Sequence, residues 1–158
     1  MALVVGTALR INQGGPHLRG VVLDEGVSEG ADVEGKRTVV RLFEHASTVG
    51  AEPEEQLNDL AQAVAAQMKA QPVRAAVVRE ASFFAKRGLD AALKHRLRAE
   101  GVALHVMRAS TPLVLVGDIN KLQARLSMTA TEFKQAGVDL QPGEWAEAAT
   151  AALVACTL

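Results

Sequence analysis

The first third of the chain alternates short apolar runs with turn residues, which is the pattern of β-strands. The stretch "ALVVGTALRI" at positions 2–11 is apolar and partly β-branched, and "NQGGPH" after it carries the Gly and Pro signals of a turn. "LRGVVLDEGV" at 18–27 predicts a second strand in a hairpin with the first, and "RTVVRLFEHAS" at 37–47 predicts a third. Together the three strands predict an antiparallel meander.

A helical period replaces this pattern after position 50. In "EPEEQLNDLAQAVAAQMKAQ" at 52–71, apolar residues recur every three or four positions, and Pro53 and several acids stand in the first turn. This segment predicts an amphipathic helix. The next stretch, "PVRAAVVREAS" at 72–82, is a nearly continuous apolar run, which is typical of a parallel strand covered on both faces.

A second helix and another strand are predicted next. "AKRGLDAALKHRLRAEG" at 85–101 has helical periodicity, and Gly101 is a suitable C-terminal cap. "VALHVMRAS" at 102–110 then predicts a fifth, buried strand. The segment at 110–137 begins β-rich, turns at a Gly-Asp pair and continues with helical spacing.

The last helix is predicted to start near Gly143, so the order of elements is β-β-β-α-β-α-β-α-α. This order predicts an α/β fold with a five-stranded mixed sheet, in which three antiparallel strands precede parallel strands, flanked by helices. With 158 residues, 49% of them hydrophobic, the chain has the size of a single domain, spanning residues 1–158, that buries its own core.

Charge and cysteine content narrow the function classes. Seventeen basic and eighteen acidic side chains give a net charge of −1, which argues against a surface wholly devoted to phosphate backbones. The single cysteine, Cys156, cannot form an internal disulfide and is predicted to be a buried small hydrophobe. The apolar N-terminus is too short to span a bilayer and lacks a basic flank, so we expect a cytoplasmic protein without a membrane partner.

Four stretches resemble RuvC-type Holliday junction resolvases within the ribonuclease H-like fold: "LVVG", "AAVVREASFF", "VGDINKLQARL" and "GEWAEAATAALVA". In those resolvases, similar places hold an apolar strand ending in Gly-hydrophobic-Asp, a strand carrying a Glu, a Gly-turn-Lys segment before a helix, and a final helix with two acids three residues apart. The resemblance covers nearly the whole chain as topology and spacing. It also implies a homodimer.

The resemblance implies a cluster of carboxylates, because such nucleases hold two Mg²⁺ ions at the phosphodiester and hard cations prefer oxygen ligands. Glu144 and Glu147 match the final-helix pair. Glu80 lies at or one place beyond the fourth-strand acid, and Arg79 is the competing alignment. These three glutamates are the candidate catalytic and metal-binding residues, with Mg²⁺ or Mn²⁺ as the implied cofactor only if the site is active.

The first strand departs from this pattern, because Thr7 and Ala8 stand where the resemblance calls for the central Asp. Neither side chain offers a carboxylate. Asp24, or Glu25 beside it, could replace the missing ligand if strand alternation aims it inward.

Each acid also has a structural interpretation. Glu144 and Glu147 would complement the dipole of the last helix as acids in its first turn, and Glu80 would be a solvent-facing charge at a strand end. Trp145 is predicted to pack on the sheet edge. The four histidines lack metal-ligand spacing, and His105 is predicted to be a core residue of the fifth strand.

A run of basic residues on the predicted second helix is either a phosphate-binding footprint or a solvated helix face. With one lysine of the "VGDINKLQ" stretch, the candidate nucleic-acid-binding residues are Lys86, Arg87, Lys94, Arg96, Arg98 and Lys121.

Three hypotheses follow. The first is a RuvC-like domain without nuclease activity and without a cofactor, acting as a binding or assembly subunit with DNA or a DNA-processing protein. The second is a metal-dependent structure-selective endonuclease with Asp24 completing a rearranged carboxylate cluster. The third is a pure protein-interaction subunit with no nucleic-acid role.

Overall fold

The computed structural model describes residues 2–26, 37–82 and 90–158 of the chain. Within these ranges, five strands form one sheet, and five α-helices and a 3-10 turn pack around it. The strands are β1 (Leu3–Asn12), β2 (Gly15–Asp24), β3 (Thr38–Ala46), β4 (Ala75–Arg79) and β5 (Leu113–Gly117). The helices are α1 (Pro53–Ala70), α2 (Ala91–Ser110), α3 (Ile119–Arg125), α4 (Ala130–Leu140) and α5 (Ala146–Ala155), with the 3-10 turn Gly143–Trp145 directly before α5.

The sheet has the order β3-β2-β1-β4-β5. β1 pairs antiparallel with β2 and parallel with β4, β3 pairs antiparallel with β2, and β5 pairs parallel with β4. This confirms the predicted five-stranded mixed sheet and its antiparallel first half.

The hairpin between β1 and β2 is tighter than the sequence predicts. Gln13 and Gly14 alone form the turn, both with positive φ, and the residues from Gly15 onward already belong to β2. Two consecutive positive φ values match the twist of paired strands, and a two-residue turn fixes the register of the hairpin. β1 therefore runs antiparallel to β2 over its whole length.

The fifth strand lies at Leu113–Gly117, and the prediction that residues 102–110 form it was wrong. Those residues continue α2, in which His95, Ala99, Ala103 and Met107 are buried at a spacing of four. Gly101 lies on the exposed side of this helix and does not cap it. Buried residues on one helical stripe therefore decide the structure where a short apolar run is ambiguous.

The two faces of the sheet carry separate apolar layers. Val5, Leu9 and their neighbours pack against α1 and α2, whereas Val4 and Ala8 pack with α5 and the helices beside it.

His105 is exposed on α2, so its predicted place in the core was wrong. Among the helices of the described ranges, none is long and apolar enough to cross a membrane.

The last helix lies directly on the first strand. A Cβ atom built on Gly6 of β1 would stand 1.9 Å from the backbone nitrogen of Ala152 in α5. Only a residue without a side chain allows this approach, and residues 148–155 of α5 are buried by it. The approach brings the start of α5 to the carboxyl ends of β1 and β4.

Candidate functional site

One row across the sheet defines the place where the resemblance expects a carboxylate from β1. Ala8 pairs with Arg19 of β2 on one side and with Arg79 of β4 on the other. Residues opposite each other in neighbouring strands point to the same face. Because Ala8 packs with the α5 layer, both arginines share that face with it.

Glu147 of α5 meets two of the strand arginines. Its Oε1 accepts a hydrogen bond from Arg10 at 2.9 Å and lies 3.6 Å from Nη2 of Arg79. Burial alone would raise the pKa of Glu147, but the hydrogen bond from Arg10 and the charges of Arg79 and Arg10 outweigh it and hold that pKa below its ordinary value. Glu147 is therefore held ionised inside an arginine pair.

Glu144, in the 3-10 turn, is bound by Arg19 of β2, the third arginine that the strands contribute to this network. Nη2 of Arg19 donates to its Oε2 at 2.5 Å. The guanidinium of Arg19 also lies 5.9 Å from the centre of the Trp145 ring, at cation–π distance, and 3.7 Å from Oε2 of Glu44. Trp145 itself packs against the α5 layer of the core, near β2. Glu144 and Glu147 therefore connect the start of α5 to the sheet through ion pairs, in addition to being acids at the beginning of a helix.

Arg79, rather than Glu80, takes the strand position that faces α5. Ala75 and Val77 belong to the α5 layer, so alternation places Arg79 on the same side. Glu80 follows the strand and lies near Glu100, where its charge adds to the main effect of burial in raising the pKa of that carboxyl. The competing alignment of the sequence, which points a cation at the site, matches this arrangement.

Asp24 is remote from these residues. It pairs with Leu3 at the start of β1, five positions from Ala8, which is about 17 Å along a strand. Its carboxylate accepts a hydrogen bond from the backbone of Gly26. The structure therefore does not bring Asp24 together with Glu144 and Glu147.

The donor set at this edge does not fit a two-metal centre. Such a centre needs several free carboxylate oxygens around one point, whereas Glu144 and Glu147 are engaged by arginines and β1 contributes Ala8. In the part of the chain that the structure describes, no three His, Cys, Asp or Glu side chains are grouped so as to hold a metal ion.

A cleft of about 560 Å³ opens beside this network, between the carboxyl ends of β1 and β4, the start of α2 and the start of α5. Its charged lining residues are Arg10, Arg79, Glu80, Asp90, Arg96 and Glu147.

The candidate nucleic-acid-binding residues do not form one stripe. Lys94 and Arg98 are exposed one turn apart on α2, while Arg96 faces the cleft and donates to Glu100 at 2.8 Å. Lys121, at the start of α3, is exposed and donates to the carbonyl of Val116 at 2.8 Å. Lys86 and Arg87 lie outside the described residues.

Solved structures of RuvC share this fold. No family model matches the chain, and no curated protein matches it. RuvC from Thermus thermophilus in complex with Holliday junction substrate is 15% identical, with a TM-score of 0.70 over 98% of this chain and 92% of that one. A second Thermus thermophilus RuvC structure is 16% identical, with a TM-score of 0.69 over 96% and 92% of the two chains.

The chain therefore has the ribonuclease H-like fold of RuvC Holliday junction resolvases, as the four sequence stretches predicted. At 15–16% identity the likeness concerns the fold.

Proposed function

We propose that this chain is a RuvC-like domain that binds DNA without cutting it and acts as a binding or assembly subunit in a DNA-related process. The observation that carries the proposal is the row Arg19, Ala8, Arg79. Where metal-dependent nucleases of this fold need acids, the sheet offers a methyl group between two guanidinium groups, and the remaining acids are neutralised by them.

The fold supports the DNA-related half of the proposal. A neighbour of the same topology over nearly the full length was solved with a Holliday junction substrate. Arginine binds phosphate through a planar set of donors, so a nuclease fold with arginines at this edge of the sheet has the means to hold a phosphate backbone.

The endonuclease hypothesis needs four carboxylates around a metal. Its support is the fold likeness, whereas the position of Asp24 at the far end of β1 counts against it. The homodimer that the resemblance implies stays a prediction.

Removing exposed cations from α2 is expected to weaken DNA binding. For Lys94→Gln/Arg98→Gln, we expect the affinity for a four-way junction to fall about tenfold. The slope of log affinity against log salt should flatten by about one to two, because fewer counterions are released on binding when phosphate contacts are lost. Fluorescence anisotropy at several salt concentrations, with EDTA present, measures both quantities.

The matched control is Arg125→Gln/Lys134→Gln, which removes two exposed cations from α3 and α4 behind the opposite face of the sheet. It should leave affinity and slope within about twofold of the wild type. Junction binding that is absent, or insensitive to salt, would refute the DNA-binding proposal and favour the protein-interaction subunit. Mg²⁺-dependent junction cleavage that is lost in Glu144→Gln would refute the non-cutting half.

A further inference from the structure

Arg79 lines the cleft as a half-buried cation with few partners. Its side chain is only 15% exposed, and among the described residues its one ion-pair partner is Glu147, at 3.6 Å. A guanidinium group carries five N–H donors, and no nitrogen of Arg79 is among the fully buried, unpaired atoms of the described residues, so its donors border the cleft. Arg79 therefore has donors to spare for an anion that enters the cleft.

Three guanidinium groups converge around that position. Burial is the main cause that lowers the pKa of Arg79, and the charges of Arg96 and Arg10 lower it further, although Glu147 opposes them. Arg10 reaches the same cleft from β1 with 60% of its side chain exposed, so it can reorient. The surplus of positive charge is local to the space between Arg79 and Arg10.

Two of the three acids that line the cleft, Asp90 and Glu147, are already engaged. The side chain of Asp90 caps α2 by accepting from the backbone of Leu93 at 2.7 Å. Glu80 also lines the cleft, and its charge acts on Glu100. Glu147 is the acid between the two arginines, and a single oxygen, Oε1, contacts both. Its carboxylate has the charge and the paired oxygens of a phosphodiester group.

We propose that the cleft binds a phosphate group directly on Arg79 and Arg10, with Glu147 as the internal anion that the phosphate displaces. The inference rests on the proposed DNA-binding function and names the group that this edge of the sheet takes. It assigns a role to the arginines at this edge of the sheet: they hold the backbone phosphate without a metal ion. Glu147 competes with phosphate for the two arginines and so lowers the affinity of the cleft for phosphate. An external anion binds only where its geometry at the two arginines is better than that of Glu147.

The test uses the full chain in EDTA, titrated with inorganic phosphate and with the dinucleotide TpT, and followed by the NMR signals of the arginine Nε–Hε groups. The expected results have opposite signs. Arg79→Met should weaken binding of both probes at least tenfold, whereas Glu147→Gln should strengthen it about three- to tenfold. Arg10→Met, a change at an exposed side chain, should weaken binding about threefold and serves if Arg79→Met folds poorly. Arg108→Met, at the far end of α2, is the matched control and should change neither affinity.

Weaker or unchanged binding in Glu147→Gln would overturn the inference, as would unchanged binding in Arg79→Met. The four-way junction is titrated in parallel. Junction binding that is insensitive to Arg79 and Glu147 would sink the cleft and leave the proposed function standing. Binding of inorganic phosphate at Arg79 without binding of TpT or junction would keep the anion cleft, with free phosphate as its ligand, and would sink the DNA-binding function.

Discussion

Replacing Gly6 by alanine is expected to destabilise the protein by at least about 3 kcal/mol, the upper range for overpacking a core. The new methyl group would stand 1.9 Å from the nitrogen of Ala152 and 2.4 Å from the carbonyl oxygen of Ala148. Both are backbone atoms of α5, so no side-chain rotation relieves the clash and the helix must move away from β1. Urea unfolding followed by circular dichroism measures the loss.

The chain offers a matched control at Gly101. A Cβ atom there meets nothing within 4 Å, and the residue lies on the exposed side of α2. Gly101→Ala should therefore stabilise the protein by about 0.5–1 kcal/mol, since glycine is unfavourable inside a helix. A Gly6→Ala variant as stable as the wild type would contradict the packing of α5 on the first strand, and with it the position of Glu147.

Replacing Arg96 by methionine is expected to cost about 3 kcal/mol at pH 7, the typical loss when one partner of a buried ion pair is removed. Glu100 is buried, and its carboxylate accepts from Arg96 at 2.8 Å and from the backbone of Ala81 at 2.9 Å. Without Arg96, the backbone of Ala81 remains its hydrogen-bond partner among the described residues. The buried carboxylate is then left without an ionic partner among the described residues.

The effect of Arg96→Met should depend on pH with a definite sign. Burial raises the pKa of Glu100, and the hydrogen bond from Arg96 opposes this, so the variant raises that pKa further. A carboxyl group whose pKa is higher in the folded than in the unfolded chain contributes stability below the unfolded-state pKa and loses it as the pH rises through the folded-state pKa. The destabilisation should therefore be full at pH 7 and less than half as large near pH 4.

Thermal and urea unfolding at the two pH values measure this difference. The control is Arg96→Met/Glu100→Gln, which removes the buried charge together with its partner and should recover most of the stability at pH 7. Equal destabilisation by Arg96→Met at both pH values would contradict the buried ion pair as its cause.

Periodicity predicted the first half of the fold well, because each of its elements has one dominant pattern. α1 has buried Leu60, Val64 and Met68 at a spacing of four, and the prediction over 52–71 differs from the structure by one residue at each end. It failed at residues 102–110, where alternating apolar residues also fit a helix. Gly101 was predicted to be the C-terminal cap of the second helix, although it lies in the middle of α2 on its solvent side.

The acids and Arg79 of the candidate site were predictable from the sequence, whereas Arg10 and Arg19 were not. The three-residue spacing of Glu144 and Glu147 predicted that both side chains share one face of the last helix. The structure places both over the same face of the sheet. Arg10 and Arg79 each follow an apolar strand segment, Arg19 precedes the apolar run of β2, and only the register of three strands brings them together. One signal was available: alternation along β1 puts Arg10 on the face of Ala8, the position that lacks its acid.

Calorimetric titration of the wild-type protein with Mn²⁺ and Mg²⁺, beside the Glu144→Gln/Glu147→Gln variant, tests the central claim most directly. The claim is that arginines have replaced the metal ions as partners of these two acids. We expect no specific binding of either ion to the wild type, and the same flat titration for the variant. Saturable Mn²⁺ or Mg²⁺ binding by the wild type that the two substitutions abolish would contradict the claim and return the site to a metal-dependent nuclease.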